Sequence, residues 1–211
     1  MVEKIVGIEG PMFSGKTLEL LQIAERETIA GRKIQIFKPK IDNRGEGLNV
    51  VKSRFGKDWE AVAVDNPRTI LDYIQEDTNT VLVDEANFFS RRGEDGEFDI
   101  VKVFRDLVNR DIRVVFAGLP RDFRGEPFGP MGDLLARAQE HIPVRAVCDY
   151  NESGYTCGKE ATETQRFVDG EPANWNDPIV LVGDKQEGYA ARCIAHHVVR
   201  NKPTIVFDSQ K

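Results

Sequence analysis

No stretch of the 211-residue sequence approaches the roughly 20 consecutive apolar residues that a membrane-crossing helix needs. The N-terminus also lacks the basic segment, apolar core and small-residue cleavage site of a secretory signal. There is neither an internal repeat nor a low-complexity tract. With 40% hydrophobic and 30% charged residues, the composition is globular rather than disordered or fibrous. We therefore expect a cytoplasmic protein.

Negative charge outweighs positive charge, and cysteine is scarce. A formal net charge of −6 disfavours non-specific binding to nucleic acid, which depends on Lys and Arg neutralising phosphates, although a local basic groove stays possible. The three cysteines all lie in the last third of the chain. An odd number in a cytosolic chain fits metal binding better than a disulfide framework, so a fourth ligand is needed.

Apolar periodicity in the first 150 residues or so predicts strands that alternate with helices. We expect strands at residues 4–9, 33–38, 60–64, 80–84 and 112–118, and helices ending at Gly31 and spanning 67–74 and 100–108. This order predicts an α/β fold with a parallel sheet, helices on both faces, and ligands at the carboxyl ends of the strands. The polar stretch 40–57 has no such period, and we expect a loop.

Beyond residue 147, Cys, Gly, Pro and polar residues dominate up to Asn176, followed by two apolar runs at 179–182 and 204–207. We interpret residues 1–147 as a nucleotide-binding core and residues 148–211 as a small satellite domain with a C-terminal tail.

The segment GPMFSGKT fits the phosphate-loop pattern G-x-x-x-x-G-K-T in full, directly after a predicted strand and opening a predicted helix. Its residues are Gly10, Pro11, Met12, Phe13, Ser14, Gly15, Lys16 and Thr17. Backbone N–H groups and the helix N-terminus attract phosphates, Lys16 reaches the outer phosphates, and Thr17 can bind Mg²⁺. The loop therefore predicts binding of a nucleoside triphosphate.

Two carboxylates follow the apolar strand predicted at residues 80–83. Asp84 is placed to orient Mg²⁺, directly or through its water shell. Glu85 would remove a proton from an acceptor hydroxyl in a kinase, or from water in an ATPase. The pair supports both chemistries equally.

Three segments together, GPMFSGKT at 10–17, DEANFF at 84–89 and RDFRGEPFG at 121–129, resemble the thymidine kinases of the tetrameric, zinc-containing type. A phosphate loop alone is common, but Pro-Met-Phe inside it and the other two segments in this order are far more specific. The resemblance implies a recombinase-like ATPase core and a zinc-held lasso that closes over thymidine. It also implies ATP with Mg²⁺ as phosphate donor and a homotetramer.

The resemblance also implies roles for individual residues. Glu85 corresponds to the catalytic base that deprotonates the nucleoside 5′-hydroxyl. The residues implied to surround thymidine are Met12, Phe88, Leu119, Phe123 and Phe128, with Tyr189 against the base and Thr164 near its methyl group. Aromatic and apolar walls suit a flat base, and a methyl pocket distinguishes thymine, although core packing is the alternative for any single Phe.

We assign Asn87, Asp42 and Arg44 to the ATP and magnesium site together with the phosphate loop and Asp84. Asp42 and Arg44 match the family's Asp-x-Arg, whose guanidinium can offset developing charge. Where the family continues with Tyr and later Ser-His, this chain has Gly45 and Ser53-Arg54. A solvated loop charge is the alternative for Arg44.

Three thiols and an imidazole form a set suited to tetrahedral structural zinc: Cys148, Cys157, Cys193 and His196. His197 is the competing fourth ligand. The family has Cys-x₂-Cys at its first pair, so the residues between Cys148 and Cys157 are interpreted as an insertion that loops out. Three buried, metal-free cysteines are the alternative.

The leading hypothesis is a thymidine kinase that produces thymidine monophosphate for nucleotide salvage. A DNA-acting ATPase motor could share the same core, but the acidic balance and the absence of a clear basic stripe disfavour it. A zinc-ribbon binding module with a vestigial phosphate loop is disfavoured by the intact Lys16, Thr17, Asp84 and Glu85.

Overall fold

The computed structural model describes residues 4–41, 50–52, 58–180 and 187–204. Its strands, in chain order, are β1 (Ile5–Glu9), β2 (Ile34–Pro39), β3 (Val50–Lys52), β4 (Asp58–Glu60), β5 (Val62–Val64), β6 (Thr80–Val83), β7 (Arg113–Gly118), β8 (Glu140–Pro143), β9 (Ala146–Val147), β10 (Asn151–Glu152), β11 (Tyr155–Thr156), β12 (Glu160–Ala161), β13 (Glu163–Val168), β14 (Glu171–Pro172) and β15 (Glu187–Arg192). The α-helices are α1 (Lys16–Ile29), α2 (Ile70–Tyr73), α3 (Asp99–Asn109) and α4 (Met131–Leu135).

A six-stranded sheet with the order β5-β2-β6-β7-β1-β8 forms the centre of the fold. Every neighbouring pair in it is parallel. The predicted α/β fold with a parallel sheet is therefore confirmed. Because the strands share one direction, their carboxyl ends lie along one edge, where β1 leads into the phosphate loop and β6 leads into Asp84.

Helix α1 covers one face of the sheet. Its apolar residues recur at helical spacing, so Leu20, Leu21 and Ala24 face inward and pack with Ile8 of β1 and Val115 of β7. The helix ends at Ile29, and Gly31 follows with a φ of 75°, a conformation that glycine adopts without steric cost.

Helix α3 covers the opposite face, where Ile100, Val103 and Leu107 pack against Val114 and Phe116 of β7. Alternate residues of the same strand thus enter separate cores, as expected for a parallel sheet buried on both sides. The predicted helices on both faces are confirmed.

The region from residue 146 onward, which includes the satellite, has a much smaller apolar cluster, formed by Ala146, Cys148, Ala161, Ala191 and Cys193. Its strands are antiparallel, with β9 pairing with β12, β10 with β11, and β13 lying between β14 and β15. So small a cluster stabilises little by burial alone, and this part of the fold depends on polar contacts and on its cysteine site.

Some elements differ from the sequence predictions. The stretch 40–57, predicted as a loop, contains β3, which pairs antiparallel with β4 just after that stretch. The strand predicted at 60–64 is two strands, β4 and β5. The helix predicted at 67–74 begins as a 3₁₀ turn, where the Asn66 side chain accepts a hydrogen bond from the Arg68 N–H, and continues as α2.

Two elements of the core, α4 and β8, were not predicted at all. Strand β8 lies at the edge of the sheet, where it pairs with β1. Its sequence, EHIP, contains one clearly apolar residue and therefore lacks the apolar run by which the buried strands were located. Among the described residues, no helix is long and apolar enough to cross a membrane.

Candidate active site and metal centre

The phosphate loop connects the end of β1 at Glu9 to the start of α1 at Lys16. A side-chain carbon at Gly10 would lie 2.3 Å from the Val144 carbonyl oxygen, so the close approach of these two backbones requires glycine. Gly15 precedes the helix with a φ of 86°, which glycine also adopts readily. These two positions explain the glycines of the sequence pattern.

Several groups of the loop bond to one another. The Lys16 ammonium is 7% exposed and donates to the Pro11 carbonyl at 2.8 Å. The Ser14 hydroxyl donates to the same oxygen at 2.8 Å. Phe13 has a φ of 67° and an exposed ring. The lysine that the sequence assigns to the outer phosphates therefore lies folded over its own loop.

The acidic strand end meets the start of α1. The Thr17 hydroxyl donates to Asp84 Oδ2 at 3.0 Å, and the Glu85 N–H donates to Asp84 Oδ1 at 3.0 Å. A hydroxyl beside a carboxylate offers the oxygen ligands that Mg²⁺ prefers, so these two residues fit the predicted magnesium site. Glu85 is 7% exposed and has a φ of 49°.

The segment of residues 121–129, here called the aromatic loop, follows β7. Phe123 and Phe128 are buried, as is Leu119 just before the loop. Phe88, after the acidic pair, packs edge-on against Phe128 with ring centroids 5.5 Å apart. Aromatic residues from two strand ends therefore meet at the edge of the sheet where the phosphate loop lies.

Buried polar groups hold the aromatic loop in shape. Asp122 is 2% exposed and accepts hydrogen bonds from the N–H groups of Arg124 and Glu126. Its other oxygen accepts two bonds from the Arg124 guanidinium. Gly129 has a φ of 53°, and a side-chain carbon there would lie 2.3 Å from the Asn87 carbonyl oxygen.

Asn87 connects the two aromatic segments. Its side chain is fully buried, and Oδ1 accepts a hydrogen bond from the Leu119 N–H at 3.0 Å. This hydrogen bond connects the segment that follows β6 to the segment that follows β7. Its assignment to the ATP and magnesium site stays a prediction.

The satellite contacts the phosphate loop through Thr164 of β13. The Met12 N–H donates to Thr164 Oγ1 at 3.0 Å, across 152 positions of sequence. Tyr189 of β15 lies opposite Arg166 in the same antiparallel ladder. Two residues that the resemblance places at the acceptor, Met12 and Thr164, are therefore in direct contact.

Asp42 and Arg44, with the neighbouring Gly45 and Ser53-Arg54, lie outside the described residues. Their predicted place near the triphosphate stays a prediction. The residues at 183–186, before Tyr189, are outside as well.

The three cysteines and His196 converge on one point, with their ligand atoms within 4.8 Å of one another. His196 Nδ1 lies 3.6 Å from Cys148 Sγ and 3.5 Å from Cys193 Sγ, and the sulfurs of Cys157 and Cys193 are 4.0 Å apart. Tetrahedral zinc with these ligands separates them by about 3.5–3.8 Å. The donor set and the spacing thus fit structural zinc.

The electrostatics of the cluster favour a thiolate at one of its members, Cys148. Burial by itself raises the pKa of Cys148, but hydrogen bonds from the backbone of Cys193 and Tyr150 and from His196 lower that pKa to about 6. The thiolate is the form that binds metal. Tyr150 also stacks on the His196 ring, with centroids 4.1 Å apart, which fixes the ring plane.

A family model described as thymidine kinase matches residues 3–197, which include the phosphate loop, the acidic strand end, the aromatic loop and the cysteine cluster. The chain belongs to the thymidine kinase family. This membership confirms the resemblance drawn from the sequence, and it supports thymidine phosphorylation as the general activity.

The first pair of cysteines is expected to have the spacing Cys-x₂-Cys in this family. In this chain the extra residues between Cys148 and Cys157 form a hairpin. Strands β10 and β11 pair, and the turn between them uses Ser153 and Gly154 with positive φ. The Cys157 N–H returns to the Tyr150 carbonyl at 2.9 Å. The hairpin thus projects from the metal cluster without separating its ligands.

The two candidates for the fourth ligand have different surroundings. His196 lies in the cluster, whereas Nε2 of His197 lies 2.8 Å from the Phe123 carbonyl oxygen. Sequence spacing alone could not decide which histidine is the fourth ligand, because either of two adjacent residues can turn its side chain toward a metal.

Sequence reasoning missed several residues that connect this thymidine kinase family core to its satellite. Arg121 of the aromatic loop makes a bidentate ion pair with Glu163 of β13, at 2.7 and 3.1 Å. Gln165 and Arg166 on the same strand are buried. The run ETQR is the only trace of these residues in the sequence, and it indicates partners only once the strand is known to be buried.

Proposed function

We propose that the chain transfers the γ-phosphate of ATP to the 5′-hydroxyl of thymidine, giving thymidine monophosphate and ADP. The carrying observation is the hydrogen bond between the Met12 N–H and Thr164 Oγ1. It joins the phosphate loop, which serves the donor, to the strand that the family resemblance assigns to the thymine methyl group. A donor site and an acceptor site that share a contact support a transfer reaction rather than simple hydrolysis.

The donor side uses the phosphate loop. Loop N–H groups and the N-terminus of α1 bind the phosphate oxygens, and Lys16, once it leaves the Pro11 carbonyl, neutralises charge on the outer phosphates. Thr17 and Asp84 would hold Mg²⁺, which when bound supplies charge neutralisation at the phosphates. We retain Asp42, Arg44 and Asn87 as proposed members of this site.

The acceptor side supplies the base. Glu85 takes the proton from the 5′-hydroxyl as that oxygen attacks the γ-phosphorus in line, and the bond to the β,γ-bridging oxygen breaks to release ADP. Burial of Glu85 at the end of β6, beside a carboxylate that Thr17 already holds, supports this division of roles. Water attacking instead would make an ATPase, so the site must exclude water.

The nucleoside pocket is proposed at the strand ends where the aromatic residues meet. Its proposed walls are Met12, Phe88, Leu119, Phe123, Phe128, Thr164 and Tyr189. Aromatic walls stack on a flat base, and a small pocket at the methyl group favours thymine over cytosine, which lacks that methyl group, and excludes the larger purines. The edge-on contact of Phe88 with Phe128 supports a preformed aromatic wall.

We further propose that residues 1–147 form the kinase core and that the satellite, residues 148–211, is a zinc-held lasso over this pocket. We also propose that the protein is a cytoplasmic homotetramer that acts in nucleotide salvage. The convergence of Cys148, Cys157, Cys193 and His196 supports the zinc.

The deciding experiment measures ATP consumption and nucleotide products with a panel of nucleosides: thymidine, deoxyuridine, deoxycytidine and deoxyguanosine. We expect thymidine monophosphate to form in step with ADP, and thymidine to be preferred. Hydrolysis of ATP stimulated by DNA without thymidine would overturn the kinase in favour of a DNA-acting motor. Preference for deoxycytidine or a purine nucleoside would overturn the methyl pocket at Thr164.

A further inference from the structure

We infer that His197 is a positioning residue of the acceptor site, which it serves by holding the aromatic loop through the backbone carbonyl of Phe123. The inference rests on the proposed function, because the aromatic loop matters to catalysis only as a wall of the nucleoside pocket. His197 itself is not placed against the substrate.

The hydrogen bond between His197 and Phe123 can have only one direction. His197 Nε2 lies 2.8 Å from the Phe123 carbonyl oxygen, and a carbonyl can only accept. Nε2 therefore carries the hydrogen and donates. The backbone bonds inside and next to the loop use other carbonyls, namely those of Pro120, Asp122, Glu126 and Phe128. The Phe123 carbonyl is thus engaged from outside the loop.

His197 is itself firmly held on both sides along the chain. The residue before it, His196, belongs to the metal cluster and stacks on Tyr150. The residue after it, Val198, exchanges two hydrogen bonds of 2.8 Å with the side chain of Gln165, which is 2% exposed. A donor with both neighbours fixed can define the position of its acceptor.

The same strand that holds His197 also reaches the site. Gln165 lies between Thr164, which accepts the Met12 N–H, and Arg166, whose guanidinium lies 5.1 Å from the centre of the Phe123 ring. Phe123 is therefore held at its carbonyl by His197 and approached at its ring by Arg166. Both contacts originate from the satellite, and the residue they fix belongs to the core.

A second contact comes from the same segment. Lys202 Nζ donates to the carbonyl of Arg124, the residue after Phe123, at 3.2 Å. The segment 197–202 thus binds two consecutive carbonyls of the aromatic loop. Lys202 is exposed, so its contribution is smaller than that of the half-buried His197.

Loss of the His197 donor leaves the Phe123 carbonyl without that bond and lets the loop shift. Small displacements of a binding wall weaken binding of the molecule it contacts. We expect His197→Phe to raise the thymidine KM about five- to tenfold, the loss associated with one hydrogen bond, while the ATP KM and kcat stay within about twofold. His197→Gln can still donate and should recover most of the affinity.

The experiment uses the full zinc-loaded chain with His197→Phe, His197→Gln and the control His141→Phe, a histidine exposed on the edge strand β8. Steady-state kinetics give both KM values, calorimetry gives thymidine affinity without ATP, and metal analysis gives zinc content. Support requires weaker thymidine binding in His197→Phe alone, with zinc unchanged.

Three results would overturn the inference: a thymidine KM within twofold of wild type, an equal rise in the ATP KM, or loss of zinc with His197→Phe. Loss of zinc would make His197 a metal ligand. If His197→Phe fails to fold, His197→Ala removes the same donor with a smaller side chain, and an unchanged thymidine KM in that variant overturns the inference. A wild-type chain that leaves thymidine unphosphorylated would instead sink the proposed function.

Discussion

Glu85 lies in the left-handed backbone region, with a φ of 49°, and is separated from the end of the buried strand β6 by Asp84 alone. A non-glycine residue in this region costs free energy and persists where its surroundings hold it. Here the Glu85 N–H donates to Asp84, whose other oxygen accepts from Thr17. The backbone that carries the proposed base is therefore fixed by the same carboxylate that would hold the metal.

We predict that Glu85→Gln keeps nucleotide binding and loses phosphoryl transfer. The amide preserves size but cannot accept the proton of the 5′-hydroxyl, so kcat should fall by about 10²- to 10⁴-fold. Calorimetry with ATP and a coupled assay of turnover measure the two properties. The exposed Glu76→Gln serves as a control. Turnover equal to wild type would remove Glu85 from the role of base.

Thr164 permits a similar test with two substitutions. Thr164→Val keeps the shape but removes the oxygen that accepts the Met12 N–H, and we expect kcat/KM for thymidine to fall about tenfold. Thr164→Ser keeps the acceptor, so its loss should be smaller. Kinetics of the two variants side by side decide the matter, and a valine variant as active as wild type would make this hydrogen bond unimportant.

Among the elements, helix α1 is attached to the sheet by Glu27 in its last turns. The Glu27 carboxylate accepts hydrogen bonds from Arg32, Thr80 and Arg113, at 2.7, 2.7 and 2.8 Å. Burial alone raises its pKa, but the bonds from Thr80 and Arg32 and the charge of Arg113 lower the pKa below its ordinary value of 4.5. A carboxyl with a lowered pKa stabilises the fold above its unfolded pKa and less as the pH falls through its folded pKa.

Glu27→Gln should therefore lower the free energy of unfolding by about 1–3 kcal/mol at pH 7. The difference from wild type should narrow below about pH 4, because the wild-type carboxyl then becomes neutral too. Denaturant unfolding across pH measures this difference. A gap that stays constant with pH would mean that the charge of Glu27 contributes nothing.

The hairpin of β10 and β11 contributes none of the four candidate metal ligands. Deletion of residues 151–156 leaves Cys148-Asp149-Tyr150-Cys157, which has the Cys-x₂-Cys spacing. The two ends to be joined already lie close together, because the Cys157 N–H donates a hydrogen bond to the Tyr150 carbonyl at 2.9 Å. We expect the shortened chain to keep about one zinc. Metal analysis and a melting curve test this. Loss of zinc would show that the hairpin shapes the cluster.

For the whole molecule, zinc removal should affect the two parts unequally. The sheet has large apolar clusters on both faces, whereas the buried residues of the satellite cluster are alanines and cysteines, with the half-buried Tyr150 packed against them. We expect chelation to raise amide hydrogen exchange in β9, β12, β13 and β15 while β1, β6 and β7 stay protected. Uniform loss of protection would contradict this division, as would unchanged exchange throughout.

The sequence predicted the parts of the fold whose signals are local. Strands β1 and β6 are continuous apolar runs, and the phosphate loop is a contiguous pattern, so both could be located from the residues alone. Strand β13 could not, because its buried Glu163 is satisfied by Arg121, 42 positions away. The same holds for His197. Its partner is the backbone carbonyl of Phe123, 74 positions away, and a backbone carbonyl has no sequence signature.

The bond from the Met12 N–H to Thr164 has a thermodynamic consequence for the proposed reaction. ATP would bind the loop that donates this bond, and thymidine would lie beside the residue that accepts it. Any factor by which bound ATP changes the affinity for thymidine must equal the factor by which thymidine changes the affinity for ATP. Any coupling that this hydrogen bond carries between the two proposed sites would therefore be one free energy, felt equally by both substrates.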